Sequence, residues 1–306
     1  MTAIYRNKNI LITGVGSIGE GILNSLPSSA NIRLFDNSEI RLHDLRLENT
    51  DKNIKYIIGD VRDRDAVQHA MEDIDIVFNT AALKHVSFCE ENPYAAVKTN
   101  IIGTQNVIDV AKHVEKLINI STDKAANPIS VMGATKLIIE RLVRHAGFTS
   151  VRLGNVFASN GSVVEIFKHQ IKNGKPVTIT DSKMTRFIIS IEEAVDFILR
   201  SSFLSKGRDI FILKMPAFSI TDLALAISED AEMKTIGKYN AEKLHEILMT
   251  EEEMEHAYEN EAMIVILPDK YHAKYYEELG FKKIKQLYPD SSQVEQLTIE
   301  DIKKLL

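Results

Sequence analysis

The stretch NILITGVGSIG, residues 9–19, decides the fold of this chain. Its apolar first half predicts a β-strand, and a G-x-G-x-x-G pattern follows where the next helix is expected to begin. This arrangement lets the backbone approach a pyrophosphate at the N-terminus of that helix. The sequence therefore predicts a dinucleotide-binding loop formed by Gly14, Gly16, Ser17, Ile18 and Gly19.

An acidic residue at the end of the next predicted strand indicates which cofactor binds. Asp36 lies 22 residues after Gly14. Roughly 20 residues are expected before the carboxylate that binds the adenosine ribose. Because a carboxylate repels a 2′-phosphate, we expect NAD, with NADP as the alternative. The simpler interpretation is an ordinary tight turn followed by a solvated acid.

Apolar runs alternate with helix-length segments through the first half of the chain. This alternation predicts an α/β fold with a doubly wound parallel sheet of the Rossmann-like type, because parallel strands need crossover helices. The predicted strands are Asn9–Thr13, Ile32–Phe35, Lys55–Ile58, Ile74–Asn79, Leu117–Ile120 and Ser150–Leu153. The second half lacks a glycine-rich loop of its own. We therefore expect a dinucleotide-binding domain at 1–155 and a smaller C-terminal substrate-binding lobe at 156–306, partly interleaved with it.

The composition excludes several classes of protein. Lys and Arg total 37 against 43 Asp and Glu, and the absence of a long basic run argues against a nucleic-acid partner. The single cysteine, Cys89, excludes an internal disulfide, and no Cys/His spacing indicates a metal site. No stretch approaches the roughly 18 uninterrupted apolar residues of a membrane helix. We expect a soluble, cytoplasmic protein without a membrane segment.

Small and polar residues follow the third and fourth predicted strands, at the sheet edge where such folds bind ligands. Asp60 and Val61 follow the third strand. The Asp60 carboxylate can accept a hydrogen bond from an adenine amine, or it can cap the helix that begins near residue 63. Ala81 and Ala82 follow the fourth strand, where small side chains let a dinucleotide lie against the backbone.

Three further polar residues near this edge are candidate ligand-binding groups. Lys84 and His85 follow the two alanines and are placed to face a bound anion. A lone histidine is more often structural, so His85 is given no catalytic step. Asn100 lies on a long predicted helix, Tyr94–His113. We expect Lys84 and Asn100 to contact the cofactor, and Lys84 and His85 to contact the substrate.

The stretch STDKAANPISVMGATK, residues 121–136, carries the candidate chemistry. Thr122 offers a hydroxyl, Asp123 a carboxylate and Lys124 an amine directly after an apolar strand. Lys136 follows Met132 by four residues, so both lie on the same face of the next helix. Met132 is a thioether at a position where a proton-transfer group would be expected. The alternative for Asp123 and Lys124 is a solvated ion pair in a loop.

Several motifs together resemble the extended short-chain dehydrogenase/reductases, and more narrowly the UDP-N-acetylglucosamine 4,6-dehydratases. The resemblance covers about residues 9–267. Its motifs are TAALKHV at 80–86, NPYAAVKTNIIGTQNVI at 92–108, STDKAANP with MGATK, GNVFASNGSVVEIF at 154–167, VTITDSKMTRF at 177–187 and EKLHE at 242–246. Together these motifs are far more specific than the glycine pattern alone.

The resemblance implies a UDP-sugar substrate and a tightly bound dinucleotide that is recycled in every turnover. The sugar would be oxidised at C4, lose water across C5 and C6, and be reduced at C6. Lys124 would take the C5 proton, Asp123 would protonate the departing hydroxyl and Thr122 would bond the C4 oxygen. Lys136 would bind the nicotinamide ribose. The motifs also imply substrate contacts from Asn155, Ser162, Val163, Arg186 and Glu242.

Two of these residues keep simpler interpretations from the sequence alone. The turn before residue 163 is equally typical of a plain loop and helix cap. Arg186 between apolar residues suits either a buried anion contact or a structural ion pair.

Three departures from the family pattern matter. Met132 replaces the usual tyrosine, although a subset of the dehydratases shares this methionine. The glycine loop is one residue shorter than usual. Tyr239-Asn240-Ala241 replaces the start of an R-P-G-E-K pattern, so we expect Lys238 or Arg186 to bind the UDP diphosphate.

Two other functions stay open. One is a nucleotide-sugar epimerase acting at C4, or at C5 together with dehydration. The other is a non-catalytic protein that binds a dinucleotide or nucleotide sugar. We expect a homo-oligomer, because relatives form dimers or larger rings.

Overall fold

A computed structural model describes residues 2–50, 53–157, 161–238, 240–269 and 272–306. A central ten-stranded sheet has the strand order β15-β13-β14-β10-β6-β5-β4-β1-β2-β3. The strands of the first half are β1 Asn9–Thr13, β2 Asn31–Asp36, β3 Ile54–Ile58, β4 Ile76–Asn79, β5 Lys116–Thr122 and β6 Thr149–Leu153. Those of the second half are β7 Asn155–Val156, β8 Val177–Ile179, β9 Thr185–Ile189, β10 Ile210–Leu213, β11 Ala217–Ser219, β12 Met233–Thr235, β13 Ala257–Glu259, β14 Met263–Ile266 and β15 Lys282–Lys283.

The six strands of the first half are parallel, as the alternating pattern predicts. Their ends differ from the predicted ends by two residues at most. Because all six run in one direction, their carboxyl ends meet at one edge of the sheet. That edge carries the glycine loop after β1 and the STDK residues at the end of β5.

Helices cover both faces of this sheet. The α-helices of the described residues are α1 Ser17–Ser25, α2 Glu39–Glu48, α3 Arg64–Met71, α4 Val86–Glu91, α5 Pro93–Ala96, α6 Gly103–Val110, α7 Val131–His145, α8 Val163–Lys172, α9 Ile191–Leu204, α10 Ile220–Ile227, α11 Glu251–Met254, α12 Ala273–Glu278 and α13 Ile299–Leu305. Side chains of α1 and α9 pack on one face, and those of α3, α6 and α7 pack on the other. Two apolar layers around a largely parallel sheet confirm the doubly wound α/β fold.

The prediction of one regular helix over Tyr94–His113 is wrong in detail. A π-helical segment, Val97–Ile102, joins α5 to α6, and the helix ends at Val110. Such wide turns are rare and occur often at functional sites. This segment carries Asn100, whose side chain is fully buried.

The second half of the chain builds a smaller lobe and also extends the sheet. Strands β7, β9 and β11 form one small sheet, β8 and β12 pair in another, and α8, α10 and α13 supply their apolar core. However, β10 pairs in parallel with β6, and β14 pairs antiparallel with β10. The sheet therefore does not end at residue 155, and the division there stays a prediction. Within the described ranges, no helix is long and apolar enough to cross a membrane.

Candidate active site

The glycine loop after β1 packs closely on neighbouring backbone at two of its glycines and leaves open space at the third. Gly14 has φ +76°, and a β-carbon there would lie 2.6 Å from the Ala81 Cα atom. A β-carbon on Gly19 would overlap the carbonyl oxygen of Gly14. Gly16 differs, because its β-carbon would meet no described atom within 4 Å. Open space at the start of α1, with no side chain on the capping residue, fits a pyrophosphate.

Asp36 lies beside this loop, at the end of β2. Its carboxylate accepts hydrogen bonds from the backbone N–H groups of Val15 and Ser38, at 2.7 and 2.8 Å. Arg41 donates to the Val15 carbonyl oxygen at 3.1 Å and pairs with Glu20. The acid is thus fixed where the adenosine ribose of a dinucleotide would lie, so the residues present fit the cofactor.

The Asp60 carboxylate pairs with Arg62 and does not cap α3. Arg62 donates to both of its carboxylate oxygens, and these hydrogen bonds lower the pKa of Asp60 to about 2. The side chain that caps α3 is Asp63. Asn37 also donates to Asp60, at 3.3 Å. Val61 is buried, and a β-carbon on Gly103 would meet it at 2.6 Å, so α6 packs directly on this turn.

The Asn100 side chain is held by neighbouring protein groups, and its contact with the cofactor stays a prediction. Its side chain accepts a hydrogen bond from the Leu83 N–H at 2.7 Å and donates to the Leu83 carbonyl oxygen at 3.0 Å. Its second amide hydrogen goes to Thr135 at 2.9 Å. Because the residue is fully buried, its role is to fix the loop that follows Ala81 and Ala82. A buried Asn that satisfies a loop backbone cannot be told from a ligand contact by sequence.

Lys84 and His85 face the start of the smaller lobe. Burial lowers the pKa of Lys84, with Glu165 acting in the opposite direction. Burial, followed by the charge of Lys84, lowers the pKa of His85. The His85 ring lies against Gly161, which has φ +72°, so a larger side chain would not fit there.

The next residues of this wall belong to the start of α8. Ser162 occupies the N-cap position before Val163, but its buried hydroxyl makes no hydrogen bond to any described residue. Residues 158–160 of the same predicted motif lie outside the described part of the chain.

The STDK residues form a hydrogen-bonded cluster at the carboxyl end of β5. Thr122 donates to one carboxylate oxygen of Asp123 at 2.9 Å, and Lys124 donates to the same oxygen at 2.9 Å. Lys124 also donates to the side-chain oxygen of Asn155 at 2.9 Å. The other carboxylate oxygen of Asp123, a residue with 0% exposure, has no partner among the described residues. The solvated ion pair considered from the sequence is therefore excluded, because Asp123 is fully buried.

A second carboxylate, that of Glu246, also faces Lys124, and the sequence did not identify it as a site residue. Glu246 approaches the Lys124 amine at 3.6 Å and the Lys243 amine at 3.5 Å. The backbone of Glu246 exchanges two hydrogen bonds with Ser291. The signal was present, because Glu246 ends the EKLHE motif, but nothing local in the sequence places that motif over β5.

Arg186 and Glu242 line a cavity of about 80 Å³ together with Lys124 and Glu246. Arg186 donates to the carbonyl oxygens of Thr185 and Leu244, at 2.7 and 3.1 Å, so carbonyl groups hold it in place. One carboxylate oxygen of Glu242 is buried and lacks a partner within the described ranges. Tyr239, one of the substituted motif positions, lies outside those ranges.

Met132 and Lys136 lie on α7, and Lys136 reaches β5 next to the STDK residues. Met132 packs against Cys89 and Ala96. Lys136 donates to the Ile120 carbonyl oxygen at 2.8 Å, and burial lowers its pKa to about 8. Burial thus makes the Lys136 amine easier to deprotonate than that of an exposed lysine.

A second buried charged group lies in β6, next to the STDK residues. Arg152 donates to Glu140 at 2.6 and 3.1 Å, to Glu253 at 2.9 and 3.0 Å, and to the Leu248 carbonyl oxygen at 2.6 Å. Ser121 completes the group by donating to Glu140 at 2.6 Å. Arg152, Glu140 and Glu253 are called the Arg152 cluster below, and Lys124, Asp123 and Glu246 the Lys124 cluster.

The chain is similar to known enzymes over most of its length. A family model described as "Polysaccharide biosynthesis protein" matches residues 10–268. An uncharacterized membrane protein, MJ1061, of Methanocaldococcus jannaschii is 46% identical over 99% of this chain and 96% of its own length. A UDP-N-acetylglucosamine 4,6-dehydratase (inverting) of Campylobacter jejuni is 40% identical, covering 87% of this chain and 84% of that protein. A UDP-glucose 4-epimerase of Rickettsia rickettsii is 37% identical, covering 99% and 96%.

A solved structure shares the whole architecture. The X-ray structure of Pen from Bacillus thuringiensis is 38% identical, has a TM-score of 0.90, and covers 98% of this chain and 97% of that one. The similarity spans both the glycine loop and the STDK cluster. This chain therefore belongs to the polysaccharide biosynthesis protein family of extended short-chain dehydrogenase/reductases, and it is an enzyme of the nucleotide-sugar dehydratase/epimerase class.

Proposed function

We propose that the protein is an NAD-dependent UDP-N-acetylglucosamine 4,6-dehydratase that forms a UDP-2-acetamido-2,6-dideoxy-4-hexulose for surface glycan biosynthesis. The observation that carries this proposal is the hydrogen-bonded Thr122, Asp123 and Lys124 cluster at the end of β5. Epimerisation at C4 needs proton transfer at that carbon alone. Dehydration also needs a base at C5 and an acid at the C6 hydroxyl, and the cluster offers a carboxyl group and an amine.

Within this proposal, protons are transferred along the hydrogen bonds that join Thr122, Asp123 and Lys124. Thr122 bonds the C4 hydroxyl and passes its proton to Asp123, to which its own hydroxyl already donates. Asp123 then gives that proton to the departing C6 hydroxyl, which leaves as water, while Lys124 removes the proton from C5. A bound dinucleotide would supply the hydride acceptor for C4 and the hydride donor for C6, so the reaction has no net redox change. Lys124 returns its proton to C5, which restores the base and completes the product.

Met132 does not prevent this chemistry. A thioether cannot take the C4 proton. A general base contributes roughly 10²- to 10⁴-fold, whereas enzymes accelerate reactions by at least about 10⁶-fold, so a relay through Thr122 is a sufficient replacement. Lys136, with its pKa lowered by burial to about 8, would bind the nicotinamide ribose and help to draw the C4 proton away.

Incubation with UDP-N-acetylglucosamine in heavy water tests the proposal. We expect a product that has lost the mass of one water and carries deuterium at C5, measured by mass spectrometry and NMR. Unchanged mass with inversion at C4 would instead establish an epimerase, the activity named for the Rickettsia relative. No conversion by protein that retains its dinucleotide would establish a binding protein and contradict the dehydratase.

A further inference from the structure

Glu246 is a buried acid next to the proposed base, and the reaction outlined above gives it no task. It is 3% exposed, and one of its carboxylate oxygens has no hydrogen-bond partner among the described residues. The other oxygen lies 3.6 Å from the Lys124 amine. A buried carboxylate without full hydrogen bonding is costly and needs a reason.

The backbone around Glu246 holds the carboxylate in this position. Ser291 accepts from the Glu246 N–H at 2.9 Å and donates its own N–H to the Glu246 carbonyl oxygen at 2.9 Å. Lys243, from the same segment, donates to the Ala126 carbonyl oxygen at 2.6 Å, which ties the segment to the turn after β5. Glu246 is therefore held at the end of β5 by Ser291 on one side and by Lys243 of its own loop on the other.

The charges around Lys124 come from three parts of the chain. Asp123 on its own strand end and Glu246 from the facing loop are negative. Arg186 from β9 is positive and opposes them. Lys243 approaches the outer oxygen of Glu246, and Glu242 lines the same cavity.

We propose that Glu246 is a positioning residue that keeps Lys124 an ammonium ion between two carboxylates and thereby sets the pH at which Lys124 becomes a base. The amine donates to Asp123 and Asn155 at 2.9 Å, which are full hydrogen bonds, whereas 3.6 Å to Glu246 exceeds hydrogen-bond length. Coulomb attraction falls off slowly with distance, so Glu246 controls the charge of Lys124 while leaving the amine able to turn toward a substrate.

The protonation of Lys124 agrees with this geometry. Burial lowers its pKa, but the Asp123 and Glu246 carboxylates outweigh burial and raise the pKa above its ordinary value. Once Asp123 has received the C4 proton, it no longer opposes deprotonation of the amine. Glu246 is then the remaining anion that determines how readily Lys124 gives up its proton and accepts the one from C5. The role in C5 chemistry rests on the proposed function, whereas the control of protonation does not.

Competitive labelling with trace acetic anhydride tests the control of protonation without any substrate. The holoenzyme is labelled between about pH 7 and pH 11, and mass spectrometry compares Lys124 with the exposed Lys175 in the same sample. A nearby opposite charge shifts a pKa by about one unit or more, so Glu246→Gln should raise labelling of Lys124 at pH 8 about tenfold. The midpoint of the Lys124 curve, and not only its height, should move to lower pH.

Two control variants separate charge from packing. Glu246→Asp keeps a carboxylate and should leave the midpoint close to the wild-type value. Glu251→Gln removes an exposed acid of α11 and should leave it unchanged. A midpoint that stays in place in Glu246→Gln would overturn the inference, as would an equal shift in Glu251→Gln.

The pH profile of turnover supplies the second readout. Because Lys124 must lose its proton to act as a base, turnover should rise with pH, and this rise should occur at lower pH in Glu246→Gln. A purely structural role would lower the rate equally at every pH and would contradict the inference. A moved labelling midpoint in a protein that makes no dehydrated product would support the inference and overturn only the proposed function.

Discussion

Two buried charged clusters lie side by side at the ends of neighbouring strands, and they differ in how well their charges are satisfied. In the Arg152 cluster, all the N–H groups of the guanidinium are used, and both carboxylates receive further hydrogen bonds. In the Lys124 cluster, Asp123 and Glu246 each keep one buried carboxylate oxygen without a hydrogen-bond partner among the described residues.

This difference distinguishes an ion cluster that stabilises the fold from one that is suited to receive a ligand or a proton. Satisfied charges in a protein interior hold elements together, because breaking any contact leaves a buried charge uncompensated. Unsatisfied oxygens cost stability and are retained where a ligand or proton is to be received. Burial and charge alone would not distinguish the two clusters.

The largest effect is expected from removing the amine of the Lys124 cluster. Lys124→Ala should lower turnover by about 10²- to 10⁴-fold, because it deletes an acid/base group, while the dinucleotide stays bound. Single-turnover assays and the cofactor absorbance of the purified protein measure the two effects. Lys183→Ala, at an exposed lysine, is the matched control, and full activity in Lys124→Ala would refute the assigned role.

Breaking the Arg152 cluster should instead destabilise the fold. Arg152→Leu leaves two buried carboxylates unpaired and should lower the free energy of unfolding by about 3–5 kcal/mol, measured by urea denaturation. The exposed Arg141→Leu on the same helix as Glu140 should have little effect. Adding Glu140→Gln and Glu253→Gln to Arg152→Leu should recover part of the loss. No recovery would show that packing, and not charge, determines the stability of this region.

Lys136 provides an intermediate effect whose sign depends on pH. Its pKa is about 8 in the folded protein against 10.5 ordinarily, because burial disfavours the charged amine. Between these two values the unfolded chain holds a proton that the folded chain has released, so stability rises with pH in that window. Lys136→Met should lack this rise and, at pH 7, increase the unfolding free energy of the apoprotein by about 1–3 kcal/mol. Parallel slopes in the two proteins between pH 8 and 10 would contradict the lowered pKa.

The smallest effect concerns the open space at Gly16. Gly16 has φ −70°, which alanine adopts easily, so Gly16→Ala should raise the unfolding free energy of the apoprotein by about 0.4–1 kcal/mol. The added methyl group should nevertheless weaken dinucleotide binding, because it fills the space assigned to the pyrophosphate. The dinucleotide affinity measured by titration calorimetry should therefore fall, while the unfolding free energy measured by urea denaturation should rise. Gly14→Ala, at a positive φ and against Ala81, should lower stability and serves as the contrasting variant.

The sequence predicts the local features of this protein well. Gly14 and Asp36 are identified by spacing along the chain, and the structure places both at the same loop. The strands are predicted because short apolar runs bounded by turn residues are typical of buried β-strands. Lys124 and Asp123 are neighbours in sequence, so their pairing needs no tertiary information.

The features that depend on tertiary contacts are missed. Glu246 meets Lys124 only because the loop that carries it crosses the end of β5, and Asn100 bonds Leu83 from a π-helical segment that has no reliable sequence signal. Both contacts join polar residues to partners that are distant along the chain. A pattern of residue types cannot distinguish a carboxamide that holds a loop from one that holds a ligand.

The position of β6 in the sheet also bears on the synthesis of the protein. Arg152 lies in β6 and is separated by 101 residues from Glu253, and β6 shares its outer edge with β10. At about 5–20 residues per second, a ribosome would need roughly 5–20 seconds to deliver the missing partner. During that interval a nascent chain exposes an open strand edge and a guanidinium with half of its carboxylate partners. The nascent first half therefore carries an unpaired strand edge of the kind that promotes aggregation, although it contains every residue of the glycine loop.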